Sequence, residues 1–357
     1  MYFYQPNING MKKTLTIILL GLVAYTGSYA QDVHFSQFYN APMVTNPALT
    51  GAFNAEHRII ANYRGQWGSI DKPYTTYALS YDCGFLKNTI SSGFPAIGLQ
   101  FYADKAGDLK MGIIQINLNL AYHLALNKNH FLTAGIEGGY SQRSLNGTDM
   151  RWDSQYDPLA EEGFNANLPS NETSGFKSFG FADFGAGLLW TFNNGSTNMS
   201  SNDQIKGNLG VALFHLNRPK KNFTNFEPKS MFIKTTIHAN VHFGIPNTNL
   251  AIVPSFLCEL QGPAREILLG SLFRFRLQEK SKYTNFVSET ALSIGVHYRF
   301  GDAIIATGMF EWKNYALGIS YDVNTSKLSA ATKSMGGLEI ALRYQTPIFK
   351  KSDKSLY

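Results

Sequence analysis

The amino-acid sequence predicts an all-β protein: a transmembrane, antiparallel outer-membrane β-barrel of about 14 strands. Three observations lead to this prediction, namely one very long alternating strand, about thirteen further alternating segments, and an N-terminus typical of an exported protein. After residue 30 there is no apolar run of the roughly 18 residues that a spanning helix needs. An exported chain without such a run is soluble, surface-attached or a β-barrel, and the strand pattern favours the barrel.

The longest alternating segment lies at residues 114–126, where every second residue is large and apolar. At about 3.3 Å per residue this strand is about 40 Å long, well beyond an ordinary globular strand. A soluble antiparallel sheet also alternates, so this strand alone does not decide between water and lipid. The opposite face is polar but uncharged, which fits a wet barrel lumen, and it carries Gln115, Asn117, Asn119 and His123.

The other alternating segments bring the total to fourteen. They lie near 57–67, 74–85, 94–104, 111–126, 131–145, 178–192, 205–217, 232–245, 250–261, 265–278, 290–300, 303–313, 315–323 and 336–346. Aromatic residues cluster near the ends of these segments, which is typical of the girdles at membrane interfaces. Examples are Trp67, Tyr74, Trp190, Phe192, Trp312 and Tyr315.

The N-terminus has the pattern of a secretory signal. Met11-Lys12-Lys13 precedes the apolar run Leu15 to Ala24, and Ser28-Tyr29-Ala30 supplies a small-x-small cleavage site near Ala30. Residues 1–10 then form an upstream extension, with Met11 the more natural start. The predicted organisation is an extension and signal peptide at 1–30, a periplasmic arm or plug at 31–56, the barrel at 57–349 and a polar tail at 350–357.

Composition excludes several classes of function. The formal charge of +6 falls to +4 without Lys12 and Lys13, and the surplus is scattered, so no nucleic-acid partner is predicted. Two cysteines, Cys83 and Cys258, are too few for a disulfide scaffold. Each lies in a predicted strand, which favours small buried hydrophobes over the alternative of one long-range disulfide.

Catalytic and metal-binding motifs are lacking, so no catalytic residue, cofactor or metal site is predicted and the protein is not expected to be an enzyme. Asp183-Phe184-Gly185 spells a kinase tripeptide, but it lies in an alternating strand without the other kinase motifs. His238 and His242 would share an ion on a helix, whereas on a strand they lie about 13 Å apart. They are better interpreted as polar residues that line the lumen.

The longest connection, near 146–177, follows the fifth predicted strand. An even strand number with both termini in the periplasm places connections after odd strands outside the cell. A loop of this length is usually functional, and its aromatic residues are costly to leave in water. Its carboxylates raise the alternative of calcium binding, but their spacing matches no EF-hand, and a solvated loop is favoured. They are Asp149, Asp153, Asp157, Glu161, Glu162 and Glu172.

The segment Gln31–Asn54 is the strongest local signature. Two X-Pro pairs interrupt regular structure, yet its aromatic and aliphatic content argues against disorder. We expect this arm to pack into the barrel mouth or against a partner and to obstruct the lumen, since fourteen strands enclose a space between a filled and an open barrel. Its candidate residues are Phe35, Phe38, Tyr39, Asn46 and Pro47.

Several motifs resemble those of the PorP/SprF family, outer-membrane proteins of the type IX secretion system of Bacteroidota. The resemblance covers essentially the whole mature chain, although the polar tail departs from porins in general. The matching motifs are Gln31 to Trp67, Arg151 to Asp157, Phe181 to Gly187, Leu317 to Asn324 with Ser326 and Leu328, and Gly337 to Ile340.

The resemblance implies a non-enzymatic role in type IX secretion or gliding, supporting export or surface attachment of a secreted partner such as an adhesin. The implied partners are that protein's type IX C-terminal signal domain, other components of the secretion system and the outer-membrane bilayer. We expect the partner to dock on Trp152, Gln155, Tyr156 and Asp157, with the arm facing the periplasm. The alternatives are an outer-membrane porin or hydrophobic-solute transporter and, less favoured, a soluble or surface β-sandwich enzyme.

Overall fold

The computed structural model is a closed antiparallel barrel of fourteen strands, which confirms the predicted fold class. It describes residues 32–68, 73–87, 92–107, 111–145, 151–160, 163–171, 178–194, 204–221, 229–278, 289–326 and 329–346. The strands are β1 His57–Gln66, β2 Tyr74–Gly84, β3 Gly93–Ala106, β4 Met111–Ala125, β5 His130–Ser144, β6 Phe179–Asn194, β7 Ile205–Phe214, β8 Lys234–Gly244, β9 Leu250–Gln261, β10 Ala264–Gln278, β11 Thr290–Arg299, β12 Ala303–Trp312, β13 Tyr315–Asn324 and β14 Met335–Gln345.

Each strand pairs with its neighbours along the chain, and β14 returns to pair with β1, from Arg58 opposite Gln345 to Gln66 opposite Gly337. Closure leaves the barrel wall without a sheet edge, so the backbone hydrogen bonds are satisfied within the wall. The strand positions agree closely with the sequence prediction. The seventh is shorter than expected, since it ends at Phe214 rather than 217.

The wall has an apolar outer face and a polar inner face. In β4, Ile116 is 53% exposed and Leu118 43% exposed, whereas Asn119 and His123 are fully buried at 0%. The exposed apolar side chains point away from the barrel, where a bilayer would cover them, and the buried polar ones point into the lumen. Alternation of side chains along a strand produces both faces at once.

The two ends of the barrel differ. We call the end where β1 begins and β14 ends the terminal rim, and the end where β1 ends and β14 begins the distal rim. Connections after odd strands lie at the distal rim. Aromatic contacts lie near both rims, with Trp67 against Tyr74 at the distal rim (4.8 Å between ring centroids) and Trp190 against Phe192 near the terminal rim (5.2 Å). These pairs fit the predicted girdles.

The wall is tallest around β3 to β6, whose strands are 14 to 16 residues long, against 10 residues for β7. The ladder between β6 and β7 begins at Ala186, so residues 179–185 of β6 extend toward the distal rim beyond β7. Over this stretch β6 stays paired with β5. The β5–β6 hairpin therefore projects beyond β7 at the distal rim, level with the β3–β4 hairpin on its other side, and it carries the longest connection.

Helical structure is confined to short turns among the described residues. The N-terminal arm contains two 3₁₀ turns, Phe38–Asn40 and Pro47–Leu49, on either side of α1 (Pro42–Thr45). A second short helix, α2, spans Ser329–Thr332. None of the helices in the described ranges has the length and apolarity needed to cross a bilayer. Cys83 and Cys258 are free thiols, which rules out the alternative of a disulfide between them.

Candidate functional site

The N-terminal arm, residues 32–56, fills the barrel lumen. Asp32 contacts the distal ends of β5 and β9, whereas Gly51 contacts Asp82 near the terminal end of β2. The arm therefore passes through the whole height of the lumen before it enters β1. The sequence predicted a periplasmic arm or plug that obstructs the lumen, and the arm lies in the lumen because the wall offers polar partners at every level. Which rim faces the periplasm stays a prediction.

At the distal rim, five residues form a network that we call the distal anchor: Asp32, Arg143, Asp183, His215 and Gln261. Asp32 accepts hydrogen bonds from Gln261 Nε2 at 2.7 Å and from His215 Nε2 at 2.5 Å, and it pairs with Arg143 Nη2 at 3.3 Å. His215 Nδ1 lies 2.9 Å from Asp183 Oδ1. One imidazole thus lies between two carboxylates, an arrangement that favours its protonated form.

The ionisation of the distal anchor follows from these contacts. His215 lies just beyond the end of β7. Burial alone would lower its pKa, but its hydrogen bonds to Asp183 and Asp32 raise the pKa of His215 to about 9. Burial has the opposite effect on a carboxyl group and would raise the pKa of Asp32. The hydrogen bond and charge of His215 nevertheless hold the pKa of Asp32 well below its usual range. Within the distal anchor, His215 and Asp32 consequently form an ion pair at neutral pH.

On the lumenal side of the distal anchor, toward the terminal rim, Ser36 lies at the centre of a buried charge cluster. Its hydroxyl accepts hydrogen bonds from Arg64 Nη1 (2.7 Å) and Arg299 Nη2 (2.6 Å) and donates to Asp322. The backbone N–H of Ser36 and that of Gln37 both donate to the Glu339 carboxylate, at 2.7 and 2.9 Å. Arg64 and Arg299 face three buried carboxylates here, those of Asp322, Glu339 and Glu266, so each buried guanidinium charge is compensated.

Halfway through the lumen, Asn46 and Pro47 lie against the wall. Asn46 Nδ2 donates to the Leu188 carbonyl and to His238 Nε2, both at 3.1 Å, and Asn46 Oδ1 accepts from the Ala48 N–H at 2.8 Å. The wall is glycine where the arm passes closest. A Cβ at Gly135 would lie 2.5 Å from the Ala48 nitrogen and 2.6 Å from the Pro47 carbonyl carbon. Only glycine, which has no Cβ, allows the arm to approach the wall this closely at position 135.

Near the terminal rim, the arm is held by a buried ion pair and a histidine. Gly51 adopts φ +74°, and its N–H donates to Asp82 Oδ2 at 2.7 Å. The same carboxylate binds Arg58 Nη2 at 2.7 Å. His123 Nε2 donates to the Thr50 carbonyl at 2.7 Å, so a lumenal residue of β4 that the sequence assigned to the lining contacts the arm directly.

Lys87, in the connection after β2, binds the last turn of the arm. Its ammonium group donates to the carbonyls of Phe53 and Ala55 at 3.0 and 2.9 Å and lies 4.2 Å from the centre of the Phe53 ring. Burial, together with the nearby charge of Arg58, lowers the pKa of Lys87 to about 8. The final arm residues are thus bound by hydrogen bonds and a ring contact as well as by packing.

All five arm candidates from the sequence lie in the lumen. Phe38 packs with Leu257, Leu268 and Ile305 of the wall, and Tyr39 packs at the edge of this cluster. Phe35 packs with Ala41 and Ala78, and Asn46 and Pro47 are buried as described. Sequence reasoning did not find the wall residues that receive the arm. Ser36 and Glu339 are 303 positions apart, and no local signal predicts such a pairing.

The other candidate site, the connection near 146–177, contains a small folded unit in its described part, 151–160 and 163–171. Tyr156 and Phe164 form an isolated antiparallel bridge. Gln155 Nε2 donates to the Leu168 carbonyl at 2.9 Å, and Asn165 Nδ2 donates to Asp157 Oδ2 at 3.2 Å. The loop therefore has internal hydrogen bonds of its own.

The four loop candidates divide into two groups. Gln155 is buried and Asp157 binds Asn165, so both hold the loop together. Tyr156 is 66% exposed, and its neighbour Leu159 is 95% exposed. Trp152 is half-buried, and its backbone N–H donates to Gln155 Oε1 at 3.3 Å. The exposed apolar side chains form a surface that water alone covers poorly.

In the part of the chain that the structure describes, no group of three or more histidine, cysteine or carboxylate side chains is placed to hold an ion. Four of the acidic loop residues, Asp149, Glu161, Glu162 and Glu172, lie outside the described residues. His238 is bound to Asn46, and His242 lies four residues further along the same strand, lining a cavity. This agrees with their interpretation as lumenal residues.

These features define a β-barrel membrane protein whose lumen holds its own N-terminal arm and whose distal rim carries a folded loop. Residues 27–344 match the family described as type IX secretion system membrane protein PorP/SprF. The chain belongs to the PorP/SprF family, as the motifs in its sequence indicated. Membership makes it a membrane component of type IX secretion, and the barrel together with the family supports an outer-membrane location.

Comparison with other known proteins adds little to this. None of the curated proteins matches the chain. Among solved structures, the Pseudomonas putida toluene transporter TodX is 10% identical with a TM-score of 0.45, covering 87% of this chain and 95% of its own. The monoaromatic hydrocarbon channel CymD is 11% identical with a TM-score of 0.44, covering 85% and 92%. Likenesses this distant carry no argument about what this chain binds or transports.

Proposed function

We propose that this protein is a non-enzymatic outer-membrane component of type IX secretion or gliding that docks a secreted partner, such as an adhesin, at its distal rim. The observation that carries the proposal is the folded loop at 151–171 on the projecting β5–β6 hairpin. Membership of the family assigns the protein to the type IX secretion system. The proposed ligand is the type IX C-terminal signal domain of the secreted partner. Other components of the system are further proposed partners.

The loop has two properties that suit a docking surface. Internal hydrogen bonds from Gln155 and Asn165 order its backbone before a partner arrives, which lowers the entropy lost on binding. Tyr156 and Leu159 stand exposed on that ordered frame. A rigid, exposed tyrosine is a common centre of protein interfaces.

The filled lumen favours docking over conduction. From Asp32 to Phe53 the arm binds the wall at the distal, middle and terminal levels. A porin or hydrophobic-solute transporter, the alternative function, needs a continuous path that this arrangement obstructs. On this proposal the distal rim faces outward, the arm fixes the barrel interior, and the signal peptide is removed near Ala30.

Deletion of residues 150–165 tests the docking proposal. We expect the barrel to insert normally, because none of its strands is altered, and surface display of the secreted partner to be lost. The double variant W152A/Y156A should reduce display by about tenfold or more, as expected when two aromatic contacts at an interface are removed. Display is measured by antibody labelling of intact cells, and insertion by heat-modifiable mobility of the extracted barrel.

Phe232→Ala is the matched control. Phe232 is an exposed aromatic residue in the connection between β7 and β8, at the same rim but outside the loop. Display should be unchanged in this variant. Normal display in the deletion would refute docking at the loop, and equal losses in F232A and W152A/Y156A would show that the effect is not specific to it.

A further inference from the structure

A large cavity lies in the terminal half of the lumen, among the described residues. This cavity has a volume of about 540 Å³ and lies between the arm and the wall strands opposite it. Tyr39 and Phe53 line it on the arm side, and Gln204, Lys313 and Gln345 line it at the terminal rim. Its size is that of a pocket for a small organic ligand.

The charge of the cavity lining is strongly unbalanced. Six of its residues are basic, namely Arg58, Lys206, Arg274, Arg276, Lys313 and Arg343, whereas two, Glu289 and Glu311, are acidic. Arg58 is already paired with Asp82, and Arg274 and Arg343 are paired with the two glutamates. Lys206 and Lys313 therefore carry the positive surplus of the lining. The distal half differs, since Arg64 and Arg299 each pair there with buried carboxylates. The positive surplus therefore belongs to the cavity and not to the lumen as a whole.

Two of the guanidinium groups are held in place by the acidic residues. Arg274 binds Glu311 through Nε and Glu289 through Nη2, both at 2.6 Å, and Arg343 binds the other oxygen of Glu311 at 3.0 Å. A guanidinium group has five N–H donors, so these pairs fix the orientation of Arg274 and leave donors for a ligand. Preoriented arginines are well suited to carboxylates and phosphates.

We propose that this cavity binds an anionic ligand carrying several carboxylate groups, most directly a short acidic peptide segment that enters from the terminal rim. The positive surplus supplies the attraction, and the low dielectric of the enclosed lumen strengthens it. Apolar and amide groups of the lining, such as Leu272, Met309 and Asn240, suit a peptide better than a bare ion. The site is independent of the docking loop at the opposite rim.

The test uses the full protein purified in detergent. Fluorescence anisotropy compares labelled tetraglutamate with labelled tetraglutamine, and unlabelled citrate serves as the competitor. We expect tetraglutamate to bind more tightly and to weaken as salt is added, because charges dominate the attraction. The double variant K206Q/K313Q, which breaks none of the ion pairs of Arg274 and Arg343, should weaken binding about tenfold.

Two further variants make the result specific. Asn240→Asp adds a carboxylate to the cavity with almost no change of shape and should also weaken tetraglutamate binding. Lys333→Gln removes an exposed charge at the distal rim and should leave binding unchanged. Displacement of labelled tetraglutamate by citrate would show that the carboxylate groups are what the site binds, and no binding of tetraglutamate would overturn the proposal. Equal binding of both peptides, or equal effects of K333Q and K206Q/K313Q, would overturn the proposal, whatever the loop deletion shows.

Discussion

His215 is the residue whose charge most directly controls the hold on the arm. Its two ring nitrogens face Asp32 of the arm and Asp183 of the wall, so the protonated imidazole bridges two carboxylates. A neutral imidazole has one N–H and can donate to only one of them. Deprotonation therefore leaves one of two buried carboxylates with a weaker partner, and the first residues of the arm lose stabilisation.

The hold on the arm should weaken at alkaline pH. The pKa of His215 is raised from 6.5 to about 9, so its contribution is complete below pH 6.5 and is lost as the pH rises through about 9. Hydrogen–deuterium exchange, corrected for the intrinsic pH dependence, should show residues 32–37 losing protection between pH 7 and 10. In His215→Gln the protection should already be low at pH 7 and should change little with pH.

The other end of the arm provides an internal control. Lys87 has a pKa lowered to about 8, so its neutral form is favoured in the folded protein and its contribution to stability rises above that pH. Residues 53–55, which include both carbonyl groups that Lys87 binds, should not lose protection over the same interval. Parallel loss at both ends would indicate general unfolding of the arm and contradict a specific role of His215.

At the scale of elements, the arm and the wall fit by close backbone approach as well as by polar contacts. The tightest approach is at Gly135 in β5, where a Cβ would overlap backbone atoms of Pro47 and Ala48 rather than a flexible side chain. Neither backbone can move aside without displacing the 3₁₀ turn Pro47–Leu49 or β5 itself. The position of this turn is thus set by a residue in the wall.

Gly135→Ala should displace the middle of the arm while leaving the barrel closed. Overpacking of this kind costs about 1–3 kcal/mol, which we expect as reduced local stability of residues 44–50. Limited proteolysis of the detergent-solubilised protein should then cut the arm faster. Gly308→Ala is the matched control, since a Cβ there meets nothing within 4 Å. If both variants are cut at the wild-type rate, close approach at Gly135 does not hold the arm.

The elements of the wall could be predicted from sequence because their pattern is local. Alternation in β4 alone assigns Ile116 to the outside and Asn119 to the lumen, and the structure agrees. The arm's path could not be predicted in this way. Its contacts join Ser36 to Glu339 and Asn46 to His238, and these depend on which wall positions face each other after closure. The apolar content of the arm indicated that it packs against other residues, but it did not indicate which wall residues these are.

At the scale of the whole molecule, the arm decides whether the barrel can conduct. A fourteen-stranded barrel encloses more space than the eight-stranded barrels that side chains fill and less than an open porin. Here the arm fills the distal and middle lumen, and the cavity lies in the terminal half. The inner face of the wall carries many polar and charged side chains beside apolar ones such as Leu257, Leu268 and Ile305, so an unfilled lumen would hold water.

Deletion of residues 32–53 should convert the protein into a channel. We expect the intact protein to show little conductance in planar bilayers and the deletion variant to show a several-fold larger one, because removal of the arm exposes the polar wall. Heat-modifiable mobility verifies that the variant barrel is closed. The 150–165 deletion, which keeps the arm, should behave as wild type. Equal conductance of the intact and arm-deleted proteins would show that the arm is not the obstruction.

The course of the arm also makes the number of passages of the chain between the two rims odd. An even-stranded barrel returns its chain to the side from which it started, so both ends are expected on one face of the membrane. Here the chain travels between the rims fifteen times, fourteen in the wall and once inside it. Asp32 and Thr346, the two ends of the described chain, consequently lie at opposite rims.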